Sequence, residues 1–116
     1  MTINSFGLPF KVRREVVVGD SMLPLLADGD WLLMLENSAI KQGEIVVARQ
    51  PDQPGRRIVK KAVRADSNGW WLEGLNADSS EDSRSFGPVA HGWIEGVVVA
   101  RYWPRPRLLV SLNRIR

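Results

Sequence analysis

Turn-forming residues cut this chain into short apolar runs, none with the length and 3.6-residue period of a substantial helix. The runs at 31–35, 43–48, 56–63, 70–73 and 92–103 are rich in Val, Ile, Leu and Trp, and turn residues lie between them. β-Branched and aromatic side chains suit a pleated, half-buried surface, so each run predicts a strand. Asn68-Gly69 is the strongest hairpin signal, because it supplies the residue types a tight turn needs between 56–63 and 70–73. A further short strand is expected at 15–18 and loops at 51–55 and 76–87, while 108–115 suits either a short strand or a helix. The pattern predicts an all-β domain, a small β-barrel or folded sheet with little helix.

The length, 116 residues, suits one domain. Within 1–116 the composition suggests an irregular lead-in at 1–13, a core at 14–103 and a basic tail at 104–116. No apolar run approaches the ~18 residues that cross a bilayer, and Lys11, Arg13, Arg14 and Glu15 follow a short mixed segment rather than an apolar one. A cytoplasmic protein without a membrane anchor is therefore expected. There is no cysteine, and His91 is the single histidine. That excludes disulfides, thiolate metal sites, cysteine nucleophiles and His-based metal clusters, and no cofactor is expected. The net charge of +3 sits in the tail, where Arg101, Arg105, Arg107, Arg114 and Arg116 follow Glu95 with no intervening acid. A solvated terminus accounts for that tail more simply than nucleic-acid contact, and no nucleic-acid partner is expected.

The stretch Val17-Val18-Gly19-Asp20-Ser21-Met22-Leu23-Pro24 runs from a β-branched pair into a tight corner that Gly29-Asp30 closes. Such a corner holds Ser21 at a strand end with its hydroxyl exposed and its own N–H unpaired. A serine nucleophile needs both, an oxygen that reaches a carbonyl and a fixed N–H where negative charge develops. On its own the corner is more simply a Ser/Asp turn whose hydroxyl bonds nearby backbone.

A base must come from elsewhere in the chain. In Arg57-Ile58-Val59-Lys60-Lys61-Ala62-Val63, strand alternation puts Lys60 and Lys61 on opposite faces. Lys60 travels with Ile58 and Ala62, Lys61 with Val59 and Val63, and parity does not choose between them. At the reference pKa of ~10.4, about one lysine in 2,500 is neutral at pH 7. Bringing that pKa to ~8 takes roughly 3 kcal/mol of differential solvation, which an apolar pocket supplies. Two lysines on an edge strand that discourages aggregation are the structural alternative. The polar stretch 74–89 offers Asp82 and Arg84 as a pair that fixes the loop, and a Ser80 hydroxyl that could orient a lysine amine.

Three stretches in this order resemble the boxes of the type I signal peptidase family of serine/lysine proteases. Gly19-Asp20-Ser21-Met22-Leu23-Pro24 with Gly29-Asp30 is similar to the nucleophile box, Val59-Lys60-Lys61-Ala62-Val63 to the general-base box, and 74–89 to the C-terminal box. The resemblance covers roughly 17–103 and implies a signal-peptidase- or LexA-like fold. It makes Ser21 the nucleophile, Lys60 rather than Lys61 the base, Ser80 the serine bonded to the lysine, and Asp82 with Arg84 the structural pair. Gly19 falls where some members carry a Ser or Thr that helps form the oxyanion hole, which leaves the Ser21 N–H as the main donor. A shallow apolar groove beside Met22 and Pro24 would take an extended peptide.

The sequence also departs from the family. Leu75 stands in place of the acid after Gly74, Leu25 in place of a threonine after Pro24, and the turn that follows the base box in the family is missing. The short length, the Gly69-Trp70-Trp71 hairpin and Ser83-Arg84-Ser85-Phe86-Gly87-Pro88-Val89 are most like the nickel-type superoxide dismutase maturation protease branch. That likeness implies cleavage of an N-terminal leader from a precursor protein, a nickel superoxide dismutase precursor. Two alternatives remain at this point. One is a LexA-type self-cleaving regulator, which shares the Gly-Asp-Ser-Met corner. The other is a non-catalytic small β-barrel that binds through its arginines and five tryptophans.

Overall fold

A ten-residue strand near the C-terminus is the spine of the fold. The computed structural model describes residues 11–111. Its strands are β1 (Val12–Val16), β2 (Trp31–Glu36), β3 (Ile45–Gln50), β4 (Gln53–Asp66), β5 (Gly69–Glu73), β6 (Ile94–Trp103) and β7 (Arg107–Leu108). They form a single sheet in the order β1-β2-β6-β3-β4-β5. Every pairing is antiparallel. β6 pairs with β2 along one edge; along the other it pairs first with β3, through Ile94 to Val98, and then with β7, through Ala100 and Arg101. The all-β expectation holds. Of the two expected forms the sheet takes the folded one, since it does not close into a barrel.

Alternation along the central strands builds two cores. Val46 and Ala48 of β3 join Val97 and Val99 of β6 in one, with Ile58, Ala62 and Leu72. Ile45 and Val47 join Val98 in the other, with Leu32 and Met34 of β2. β3 therefore has buried residues on both faces, which is why 43–48 reads as a nearly continuous apolar run.

Several boundaries differ from expectation for local reasons. β1 lies at Val12–Val16 rather than 15–18, because Val17 already serves the next turn: its N–H donates to Asp30 O and its carbonyl accepts from Gly29 N. β4 starts at Gln53, inside the stretch expected as a loop. Pro51 and Asp52 alone make the turn, with Gln50 opposite Gln53. Pro54, Gly55 and Arg56 have no partner in β3, so the missing proline N–H removes no ladder bond. The 76–87 loop contains a 3-10 turn at Ala77–Ser79 and a one-turn helix, α1 (Ser83–Phe86). A second such turn, His91–Trp93, takes the start of the strand expected at 92–103. Of the described part of 108–115, residues 108–111, Leu108 alone is in a strand, the end of β7. The first ten residues of the lead-in and 112–116 of the tail lie outside the described residues. Among the described residues no helix is long and apolar enough to cross a membrane.

Candidate active site

The corner that carries Ser21 is pinned from inside. Leu23 N donates to Asp20 O and Leu26 N to Met22 O, which winds a single turn directly after the serine. Met22 and Leu26, one turn apart, are both buried in the second core, so the turn is held by its own apolar side chains. Gly19 adopts φ +87°, a backbone state that side chains resist, and its N–H donates to Asp28 Oδ1 at 2.7 Å. Asp30, also buried, accepts from Ala27 N at 2.9 Å and from Arg101 Nη1 at 3.3 Å. Arg101 further donates to Leu25 O at 3.0 Å, so this arginine clamps the corner instead of belonging to a free basic tail.

β4 brings the amine. Its burial alternates so that Ile58, Lys60 and Ala62 face inward and Val59, Lys61 and Val63 are half-exposed. Lys60 is 4% exposed, and its Nζ donates to Ser21 Oγ at 2.8 Å. Burial lowers its pKa to about 8. Asp82 and Glu81 oppose that shift through their charge, and Arg56 and Arg84 add to it. At pH 7 about one molecule in ten then carries a neutral amine, against roughly one in 2,500 for a free lysine. A neutral amine bonded to a serine hydroxyl can take that hydroxyl's proton as the oxygen attacks.

The third component is a carboxylate with full hydrogen bonding. Asp82 is buried and accepts from Gly74 N at 2.9 Å, Ser80 Oγ at 2.7 Å, Arg84 Nε at 3.0 Å and Arg84 N at 3.1 Å. Burial alone would push its pKa up. The bonds from Arg84, Ser80 and the Gly74 N–H outweigh burial and hold the carboxyl well below the usual carboxylate range. Gly74 sits where no side chain fits: a Cβ there would lie 2.3 Å from Ser80 Oγ and 2.8 Å from Ser21 O. The loop is tied down further along by Ser83 Oγ, which accepts from Leu72 N, and by paired backbone bonds between Trp70 and Val89.

A cavity of about 340 Å³ opens in front of the serine, between residues 16–22 and 56–60. β5 pairs with β4 only from Lys61 onward, so among the described residues the outer edge of β4 along this cavity carries no strand. At one end Lys60 meets Ser21; three residues along β4, Arg57 bonds Glu15 of β1 and bridges the gap. An open β4 edge along the cavity suits a peptide added as a strand.

Of the residues singled out from the sequence, Ser21 and Lys60 are bonded to each other, Asp82 and Arg84 likewise, and Gly19 and Met22 line the cavity with Ser21. Ser80 is placed otherwise: its hydroxyl donates to Asp82, and no bond joins it to Lys60 among the described residues. Pro24 is exposed and lies outside the cavity lining. The resemblance placed Asn76 in the C-terminal box but gave it no role; its N–H donates to Ser21 O at 2.9 Å and its Nδ2 donates to Asp20 O at 3.1 Å. Sequence reasoning missed Asp28 as the partner of Gly19, and Arg56 and Glu81 at the cavity wall. Asp28 carried a signal, an acid just before the glycine that closes the turn; for Asn76 the signal was its place in the C-terminal box. Among the described residues no group of three or more His, Cys, Asp or Glu is placed to hold a metal ion.

Comparison with known proteins gives a consistent result. The family model for "Peptidase S24-like" matches residues 13–99. Mitochondrial inner membrane protease subunit 1 of Xenopus tropicalis is 34% identical over 82% of this chain and 72% of its own length. Mitochondrial ATP-independent inner membrane protease subunit 1a of Arabidopsis thaliana is 32% identical over 84% and 73%. The subunit 1 protein of Schizosaccharomyces pombe is 26% identical over 84% and 78%. A match across three quarters of the chain, with relatives that are themselves protease subunits, is decisive: the chain belongs to the peptidase S24-like family.

Proposed function

We propose that this chain is a serine endopeptidase in which Ser21 and Lys60 act as a catalytic dyad. The observation that carries it is the 2.8 Å bond from a buried, pKa-lowered lysine amine to the serine hydroxyl. Ser21 Oγ attacks the scissile carbonyl carbon while Lys60 Nζ takes the hydroxyl proton. The tetrahedral intermediate places its oxyanion against the Ser21 N–H. Lys60 then gives the proton to the leaving amine, and an acyl ester remains on Ser21. Water, deprotonated by the same amine, hydrolyses that ester and restores the hydroxyl.

The substrate enters as an extended segment along the open edge of β4, and the reaction removes an N-terminal leader from a precursor. A nickel superoxide dismutase precursor, processed in the cytoplasm, is the substrate we propose on the likeness of the three boxes to that maturation branch. Incubating the chain with such a precursor, and reading the new N-terminus by mass spectrometry, tests both levels. The expected outcome is a single cut by wild type and none by Ser21→Ala. A wild type that cuts other extended peptides but leaves the precursor whole would remove the substrate and keep the peptidase. One that cuts neither would remove both.

A further inference from the structure

Asn76 stands next to the dyad without bonding either of its side chains, and its two bonds meet the backbone on either side of the Ser21 N–H. Its side-chain Nδ2 donates to Asp20 O at 3.1 Å, and its main-chain N–H donates to Ser21 O at 2.9 Å. Asp20 C=O and Ser21 N–H belong to one planar, trans peptide unit, so whatever holds the first sets the direction of the second. Among the described residues no protein acceptor bonds the Ser21 N–H. A bond to the carbonyl of a peptide also polarises its N–H and makes it the stronger donor. The side-chain amide has one useful orientation here, because only its NH2 group can donate to a carbonyl oxygen. Leu23 N reaches the same oxygen from within the turn, at the longer distance of 3.2 Å, and a carbonyl has two lone pairs to offer.

We infer that Asn76 is a positioning residue for the oxyanion donor: through Asp20 O it aims and strengthens the Ser21 N–H. The inference rests on the Ser21–Lys60 reading given above. It assigns work to the loop after β5 that is separate from the support of Lys60, which falls to Asp82 and its partners. The effect belongs to the transition state, when charge develops on the substrate oxygen, and not to substrate binding.

Asn76→Ala and the isosteric Asn76→Asp test this, since both remove the side-chain donor and keep the main-chain bond to Ser21 O. On a fluorogenic extended peptide, kcat is expected to fall about 10- to 100-fold, less than outright loss of an oxyanion donor. KM should stay within about two-fold, and in Asn76→Ala, which adds no charge, the pH midpoint of cleavage should not move. In parallel, the 15N–1H resonance of the Ser21 amide should shift in both variants, with unchanged thermal melting. That signal needs no turnover, so it decides the role of Asn76 even if wild type cleaves nothing and the dyad reading falls. An unmoved Ser21 amide, or a KM and pH midpoint that move together with kcat in Asn76→Ala, overturns the inference.

Discussion

Two cations three residues apart on β4 have opposite fates. Arg57 donates to both Glu15 and Glu95, with Arg13 also bonded to those two acids. Its bond to Glu15 raises its pKa, burial works against that, and the bond to Glu95 adds to it. Among the described residues Lys60 has no carboxylate bonded to it, and it is almost wholly covered, so burial lowers its pKa to about 8. The difference is compensation. A half-exposed cation with matched acids keeps its charged form and serves as a brace. A covered one whose bonded partner is a hydroxyl gives up its proton more readily, which suits the base of the proposed dyad.

Replacing the two residues of the proposed dyad should have the largest effect. Ser21→Ala and Lys60→Met are each expected to lower kcat by at least ~10³-fold in the peptide assay. Lys60→Met should also be more stable than wild type at pH 7, by up to ~3 kcal/mol in urea unfolding, because it removes a buried amine whose charged form is disfavoured. The sign follows from proton binding. Lys60 has a lowered pKa in the folded chain, so between about pH 8 and ~10.5 the unfolded chain binds more protons, and wild-type stability should rise with pH across that window. A Lys60→Met variant less stable than wild type would mean that the amine is not strained by burial.

Asp82→Asn comes next. It leaves Arg84 beside a neutral amide and is expected to destabilise the fold by about 3 kcal/mol, read by chemical unfolding. Because Asp82 is depressed when folded, wild type keeps this contribution above pH ~4 and loses it as the solution becomes more acid, so the variant's acid limb should be flatter. Asp82 also holds the Lys60 pKa up, so its removal should move the cleavage midpoint downward. Arg56→Gln should move the midpoint the other way by less than about one unit, since Arg56 is exposed and its charge is screened. Smallest of all, Arg57→Gln should lower stability by under ~1 kcal/mol and leave the midpoint where it is, because its half-exposed ion pairs are solvent-screened and lie away from Ser21. A midpoint that followed Arg57 would erase the contrast between the two cations.

How much of this could be read from residues alone depended on the range of each interaction. The Asn68-Gly69 hairpin and the runs at 31–35 and 70–73 are local, and they fall where propensity and turn chemistry put them. Parity put Lys60 with Ile58 and Ala62, but which face of β4 points inward depends on packing against β3, which no local pattern contains. β1 is an edge strand that alternates between exposed and half-buried residues, so its start left little hydrophobic signal. The bond of Ser80 to Asp82 rather than Lys60 turns on two neighbours in one loop, within reach of a choice that only coordinates make. Glu15 with Arg57, and Asn76 with Asp20, join residues far apart in the chain and left no trace in spacing.

The most direct test is the titration of Lys60 itself, followed through its side-chain 13Cε resonance in labelled protein and assigned by its loss in Lys60→Met. A midpoint near pH 8, mirrored by the rise of cleavage with pH, is the predicted result. A midpoint at the ordinary ~10.4 of a free lysine would contradict it, because the amine beside Ser21 would then be charged at neutral pH and unable to take the proton.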